Sequence, residues 1–294
     1  MKKALLQLHS AVFLWGFTGV LGKLITLGET WLVWWRLLIT AVTLWIFYFF
    51  TKRIKRLPGS SILYIGFIGT IQALHWVFFY GSIKYSNITI ALTCLSTSAL
   101  LSSLIEPVVL SKRFDFFEII LGFFAIAGIV IIYNTHLQFS IGIIIGLISA
   151  LLTVIVSVLN KKMIDNYESE SIAIYQLSGG FIGLTLLLPV YYLLFPSSSV
   201  IPTVTDFFWL FILSWVCTIF TFFLYIRSLK KVSAFTMNLT LTLEPVYGIV
   251  LAFLLFRENE ILSNWFYAGF GLIAFAVGLH MVRLLKPQSL RNRQ

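Results

Sequence analysis

The sequence predicts an all-α polytopic membrane protein with ten transmembrane helices, in two inverted five-helix repeats with both termini cytoplasmic. Three observations carry that expectation. The 294-residue chain is 59% hydrophobic and 11% charged, with a mean hydropathy of +0.96, whereas soluble domains carry about a quarter charged residues. Its apolar residues form continuous runs long enough to cross about 30 Å of hydrocarbon, which takes about 20 helical residues. Its basic residues gather on one side of those runs.

The runs, in order, are 4–27, 31–50, 61–82, 87–110, 116–133, 140–160, 171–195, 206–228, 234–256 and 264–285. The first follows Met1-Lys2-Lys3 like a signal peptide, but it is long enough to span and lacks a cleavage site, so it reads as a membrane helix. Pro58-Gly59-Ser60, Asn134-Thr135-His136, Pro196 with three serines, and Glu258-Asn259-Glu260 punctuate later breaks. Continuous rather than alternating hydrophobicity excludes a β-barrel.

With the N-terminus inside, 17 of the 21 basic residues fall in cytoplasmic segments, and only Lys84 and Arg257 fall outside. That asymmetry is the positive-inside rule. The net charge of +10 therefore reports topology and anionic headgroups rather than a nucleic-acid partner. Cys94 and Cys217 both lie in apolar runs, so neither a disulfide framework nor a metal-ligand spacing is expected. No cofactor motif is visible, and the expected partners are the lipid bilayer and a small-molecule substrate, with protons as a further candidate. A monomer and a homodimer are both compatible with the sequence.

Residues 79–113 align weakly with 225–259 at an offset of 146, which pairs Ser82-Ile83-Lys84 with Ser228-Leu229-Lys230. Five spans per half is an odd number, so equivalent helices run in opposite directions. The halves are expected at 1–137 and 138–294. Inverted repeats of this kind build secondary transporters with substrate at the repeat interface.

Trp15-Gly16, Arg36, Lys84-Tyr85-Ser86, and Glu244-Pro245 followed thirteen residues after the proline by Glu258 resemble EamA-type permeases of the drug/metabolite transporter superfamily. The first half departs from that pattern, with Ala99 where a proline is usual and Ser111-Lys112-Arg113 where an acid is usual. The resemblance implies a multi-pass inner-membrane transporter that moves a small amino-acid-like or drug-like metabolite by alternating access. It implies export, with proton coupling open, and a pocket built by the third, fourth, eighth and ninth helices. A channel or lipid scramblase is the alternative. An intramembrane enzyme stands third, because Asp115, Asp165 and Asp206 all fall in loops and no zinc motif or phosphate loop occurs.

Intramembrane ionisable residues are functional candidates by default. Glu244 lies near the middle of the ninth run, where Pro245 withholds a hydrogen bond from the Leu241 carbonyl. It is a candidate for binding a proton or a substrate ammonium group, with Asn238 as a partner. The same tripeptide recurs at Glu106-Pro107-Val108. There the carboxylate sits a turn from Lys112-Arg113, which makes it an inner ion pair or gate rather than a second copy of the site. Arg36 and Lys23 near the outer face, with Glu29 between them, read as a surface ion cluster; orientation of an anionic group by Arg36 is the alternative. Gln72, His75, Trp76 and Phe79 share one helical face, which could line the pocket. Trp76 and Tyr80 could also be interfacial belt residues. Trp15 and Ser98, the latter opposite Glu244 in the repeat alignment, complete the candidates. Gly16, Gly19 and Gly22, and Gly142, Gly146 and Ala150, read as helix-packing faces.

Overall fold

The structure, a computed structural model, describes residues 2–51, 56–110, 116–163, 166–194, 199–224, 240, 241 and 243–284. Among these residues every regular element is a helix. The helices are α1 (Lys2–Leu24), α2 (Glu29–Thr51), α3 (Gly59–Tyr85), α4 (Ile88–Ser96), α5 (Ser98–Leu110) and α6 (Phe116–Thr135). They continue with α7 (Ser140–Met163), α8 (Ser169–Leu194), α9 (Val204–Phe211), α10 (Glu244–Phe256) and α11 (Asn264–Leu284). A π-helical stretch, Ile212–Phe220, prolongs α9. Six stretches are long and apolar enough to cross a membrane, and Ile88–Ser102, Ile119–Thr135, Glu244–Phe256 and Asn264–Leu279 are shorter apolar helices.

Local chemistry sets the ends. Asn87 caps α4 by accepting from the Ile90 N–H at 2.8 Å, and Thr203 with Asp206 forms a capping box at the start of α9. Pro245 lies in the first turn of α10, where its missing N–H costs nothing. Arg257 ends α10 in the left-handed region, at φ 51°.

Both halves break a helix at one repeat position. Helix α5 begins at 98 and α10 at 244, and 98 plus 146 is 244. The second break carries Pro245; the first has no proline. There Thr93 donates to the Thr89 carbonyl at 2.7 Å, Ser96 to Thr93 at 2.7 Å and Thr97 to Cys94 at 2.6 Å. Hydroxyls that bond back onto carbonyls bend helices. Two different chemistries thus give one geometry.

Helix α3 packs between α7 and α8, α6 pairs with α11, and α1 lies along α10. The α3–α8 contact is glycine on glycine: a Cβ on Gly69 would overlap the Gln176 backbone, and one on Gly179 would overlap Gly66. Small residues there let the backbones approach closely. The largest core gathers Leu21, Leu32, Tyr80, Leu92, Leu213 and Ile249 from α1, α2, α3, α4, the π stretch and α10. The polar cluster described next lies within it.

Candidate functional site

Arg36 is the centre of the cluster. It is 4% exposed and lies on the same buried face of α2 as Leu32, Val33, Leu37 and Thr40. Its Nε donates to Thr218 Oγ1 at 3.0 Å and its Nη1 to the Tyr80 hydroxyl at 3.0 Å. The guanidinium carbon stands 3.7 Å over the Trp76 ring, a cation–π contact. Among the described residues no carboxylate pairs with it. The surface ion cluster expected of Lys23, Glu29 and Arg36 therefore does not form. A charged residue early in an apolar run can face lipid, surface or bundle, and only packing chooses the face.

The π stretch positions Arg36 from below. The Thr218 hydroxyl donates to the Leu213 carbonyl five residues back at 2.8 Å, a side-chain bond laid along that winding, while Ser214 donates to the Arg36 carbonyl at 3.2 Å. Three residues on, Thr221 accepts from Trp15 Nε1 at 3.1 Å. Irregular winding of this kind often marks functional segments. Tyr80, for which a place in the interfacial belt was one alternative, is fully buried and serves as Arg36's partner.

His75, one turn below Phe79, is buried and donates Nδ1–H to the Ser149 carbonyl at 2.9 Å, while Ser149 Oγ donates back to the His75 carbonyl at 3.0 Å. This ties α3 to α7. Gln72, Trp76 and Trp15 are half-buried, as is Ser98 at the start of α5. Glu106 is half-buried late in α5 and engaged with a partner; Lys112 and Arg113, the partners expected for it, lie outside the described residues, as does Asn238.

Glu244 opens α10, with Pro245 in its first turn. The turn closes through Leu243 N–H to the Thr240 carbonyl at 3.0 Å. Glu244 as a whole is half-buried, with no hydrogen-bond or ionic partner among the described residues. Gly16 of α1 abuts this corner closely: a Cβ there would sit 2.9 Å from the Glu244 carbonyl oxygen and 3.0 Å from Gly248 N.

A second polar constellation lies at the C-terminal end of α1. Glu258 is 1% exposed. Its Oε1 accepts from Lys23 Nζ at 2.9 Å and Ile88 N at 3.2 Å. Its Oε2 accepts from Thr89 N at 2.8 Å and Thr89 Oγ1 at 2.7 Å. The carboxylate therefore ties α1 to the N-terminus of α4. Asp206 accepts from Thr26 N at 2.7 Å and Thr26 Oγ1 at 2.8 Å, besides capping its own helix. Glu29 accepts from the Tyr191 hydroxyl at 2.9 Å. Sequence reasoning placed Glu258 and Asp206 in loops and missed these roles, along with those of Thr218, Thr221 and Ser149.

The EamA-like transporter family model matches residues 2–134 and again 140–279. No curated protein matches the chain. One solved structure, described only as "Crystal structure of protein", superposes with a TM-score of 0.62 at 15% identity, covering 97% of this chain and 99% of the other. At that identity the likeness speaks to the fold alone.

Proposed function

The chain belongs to the EamA-like transporter family, and from that premise we propose a secondary transporter that carries a small metabolite across the membrane by alternating access. In this reading ten helices span an inner membrane with both termini cytoplasmic, the repeats meet near 137 and 138, and the cargo sits where they face each other. Transport runs outward, and Glu244 carries the coupling proton.

The observation that supports this is two ionisable side chains among apolar helices, Arg36 and Glu244, neither with an ionic partner among the described residues. Charges inside a membrane protein cost several kcal/mol unless paired, and residues of that kind mark substrate and proton paths. Glu244 also opens a discontinuous helix, a common feature of transporter binding sites. Flux in proteoliposomes is the test. The expected result is saturable flux, driven by a pH gradient, with Glu244→Gln folding normally and losing that drive. Non-saturable flux would point to a pore, and an unchanged pH dependence in Glu244→Gln would remove the proton role.

A further inference from the structure

We propose that Arg36 is the cargo's charge-recognition group, and that the cargo is an amphipathic monocarboxylate whose carboxylate takes the guanidinium's unused hydrogen bonds. The proposal rests on the transporter reading above and adds its substrate class.

A guanidinium carries five N–H donors, and two are used, on Thr218 and Tyr80, which leaves three. These include both hydrogens of Nη2 and one of Nη1, the adjacent pair that meets a carboxylate in a forked bond. Neutral hydroxyls and the Trp76 face hold the cation in place without neutralising it. Leaving a buried charge uncompensated is costly, so a binding partner of opposite sign gains what the protein itself does not supply.

Among the described residues no carboxylate fills this role: Glu244 forms no hydrogen bond or ion pair with Arg36, and three others are engaged elsewhere. Glu258 is committed to Lys23 and α4, Asp206 to Thr26 and Thr203, and Glu29 to Tyr191. One net positive charge also sets the ligand's charge. Lys23 is already paired, Lys84 donates to the Ile25 carbonyl and His75 spends Nδ1 on Ser149, so among the described residues no second cation stands by Arg36 to balance a phosphate dianion. The rest of the ligand meets rings: Trp76 lies under the guanidinium, and Phe17, Trp209 and Phe79 belong to the surrounding core. An apolar or aromatic body fits such walls and a sugar does not.

Thermal-shift and tryptophan-fluorescence titrations of the full-length protein in detergent test this. The probes are hexanoate, benzoate and phenylacetate, each beside its amide, with phenyl phosphate and chloride as controls. We expect at least one acid to bind tenfold or more tighter than its amide, a preference that Arg36→Gln abolishes and Arg36→Lys weakens. Because acid and amide are compared on the unaltered protein, the result stands even if Arg36→Gln fails to fold. The proposal is overturned if no acid outbinds its amide or if Arg36→Gln keeps the preference. It is equally overturned if phenyl phosphate binds more tightly than the carboxylates or chloride reproduces the effect. Uptake of the same compounds into proteoliposomes separates the two readings. Acid-selective binding without flux overturns transport and keeps the site, whereas flux of amides as readily as acids keeps transport and overturns the site.

Discussion

Lys23 and Arg36 are two cations thirteen residues apart in the sequence, and the structure treats them in opposite ways. Lys23 keeps 38% of its side chain exposed and still receives a buried carboxylate at 2.9 Å, with a cation–π contact to Phe256 at 4.4 Å. Arg36 is buried and receives hydroxyls and a ring but no carboxylate among the described residues. A lysine ammonium near solvent can stay hydrated, so its carboxylate adds a tie between helices more than it neutralises. An arginine is more weakly hydrated and presents rigid donors, which suits a charge kept for something that arrives from outside. One region is closed on itself; the other is left open to a ligand.

Substitutions can break that contrast, and the largest effect belongs to the closed region. Glu258→Ala strips the partner from Lys23 and both backbone bonds from the start of α4. Leaving a buried N–H without its acceptor costs about 1–3 kcal/mol, and two are orphaned here, so the unfolding midpoint in detergent should fall further than for any other substitution considered. Lys23→Met added to that variant should recover little, because the α4 cap is lost as well. Full recovery would mean that the ion pair alone mattered.

Gly16→Ala probes the corner between α1 and Glu244. A methyl group 2.9 Å from a backbone oxygen forces helices apart, and overpacking of this kind costs about 1–3 kcal/mol. Thermal unfolding should register that loss, and an unchanged midpoint would show that α10 shifts freely against α1.

Arg36→Met sharpens the comparison from the other side. Exchanging an uncompensated buried charge for an apolar group of similar length is often neutral or stabilising. The ligand-free variant should lie within about 1 kcal/mol of the parent while carboxylate binding disappears. A loss as large as that of Glu258→Ala would mean that Arg36 is structural.

The smallest effect concerns His136, outside the spanning helices. Its Nε2 accepts from Ser263 Oγ at 2.9 Å, and burial holds its pKa below the ordinary histidine value. A depressed histidine pKa means that the unfolded chain binds the proton more readily. The link is therefore intact above the ordinary value and weakens as pH falls below about 6.5. His136→Phe should flatten the acid side of the stability profile by under about 1 kcal/mol, measured as the unfolding midpoint against pH.

Much of the architecture was legible in advance because a bilayer imposes length and polarity on each helix. The breaks at Pro58, His136 and Glu258 bound helices in the structure, the one at Pro196 lies outside the described residues, and the 146-residue offset found in weak similarity recurs in the matched starts of α5 and α10. The glycine faces also read correctly: Gly19 packs on Ile88, and Gly146 on Ser82 and Cys94. The cluster was only half visible. Arg36, Trp76 and His75 stood out as polar or aromatic residues in apolar runs, but Tyr80, Thr218, Thr221 and Ser149 looked like ordinary membrane-helix residues. Their roles depend on which faces meet across separations of 44 residues for Tyr80 and 182 for Thr218.

By itself the sequence determined that this is an all-helical membrane protein of the EamA-like family built from two related halves. Hydropathy and repeat spacing are local or periodic, and both survive in one dimension. Tertiary structure alone decided that Lys23 belongs to Glu258, that Glu244 begins a helix, and that Arg36 is buried without an acid. Helix rotation and pairing are set by the packing of whole faces, and a carboxylate 235 residues away from Lys23 leaves no trace of its partner in the order of residues.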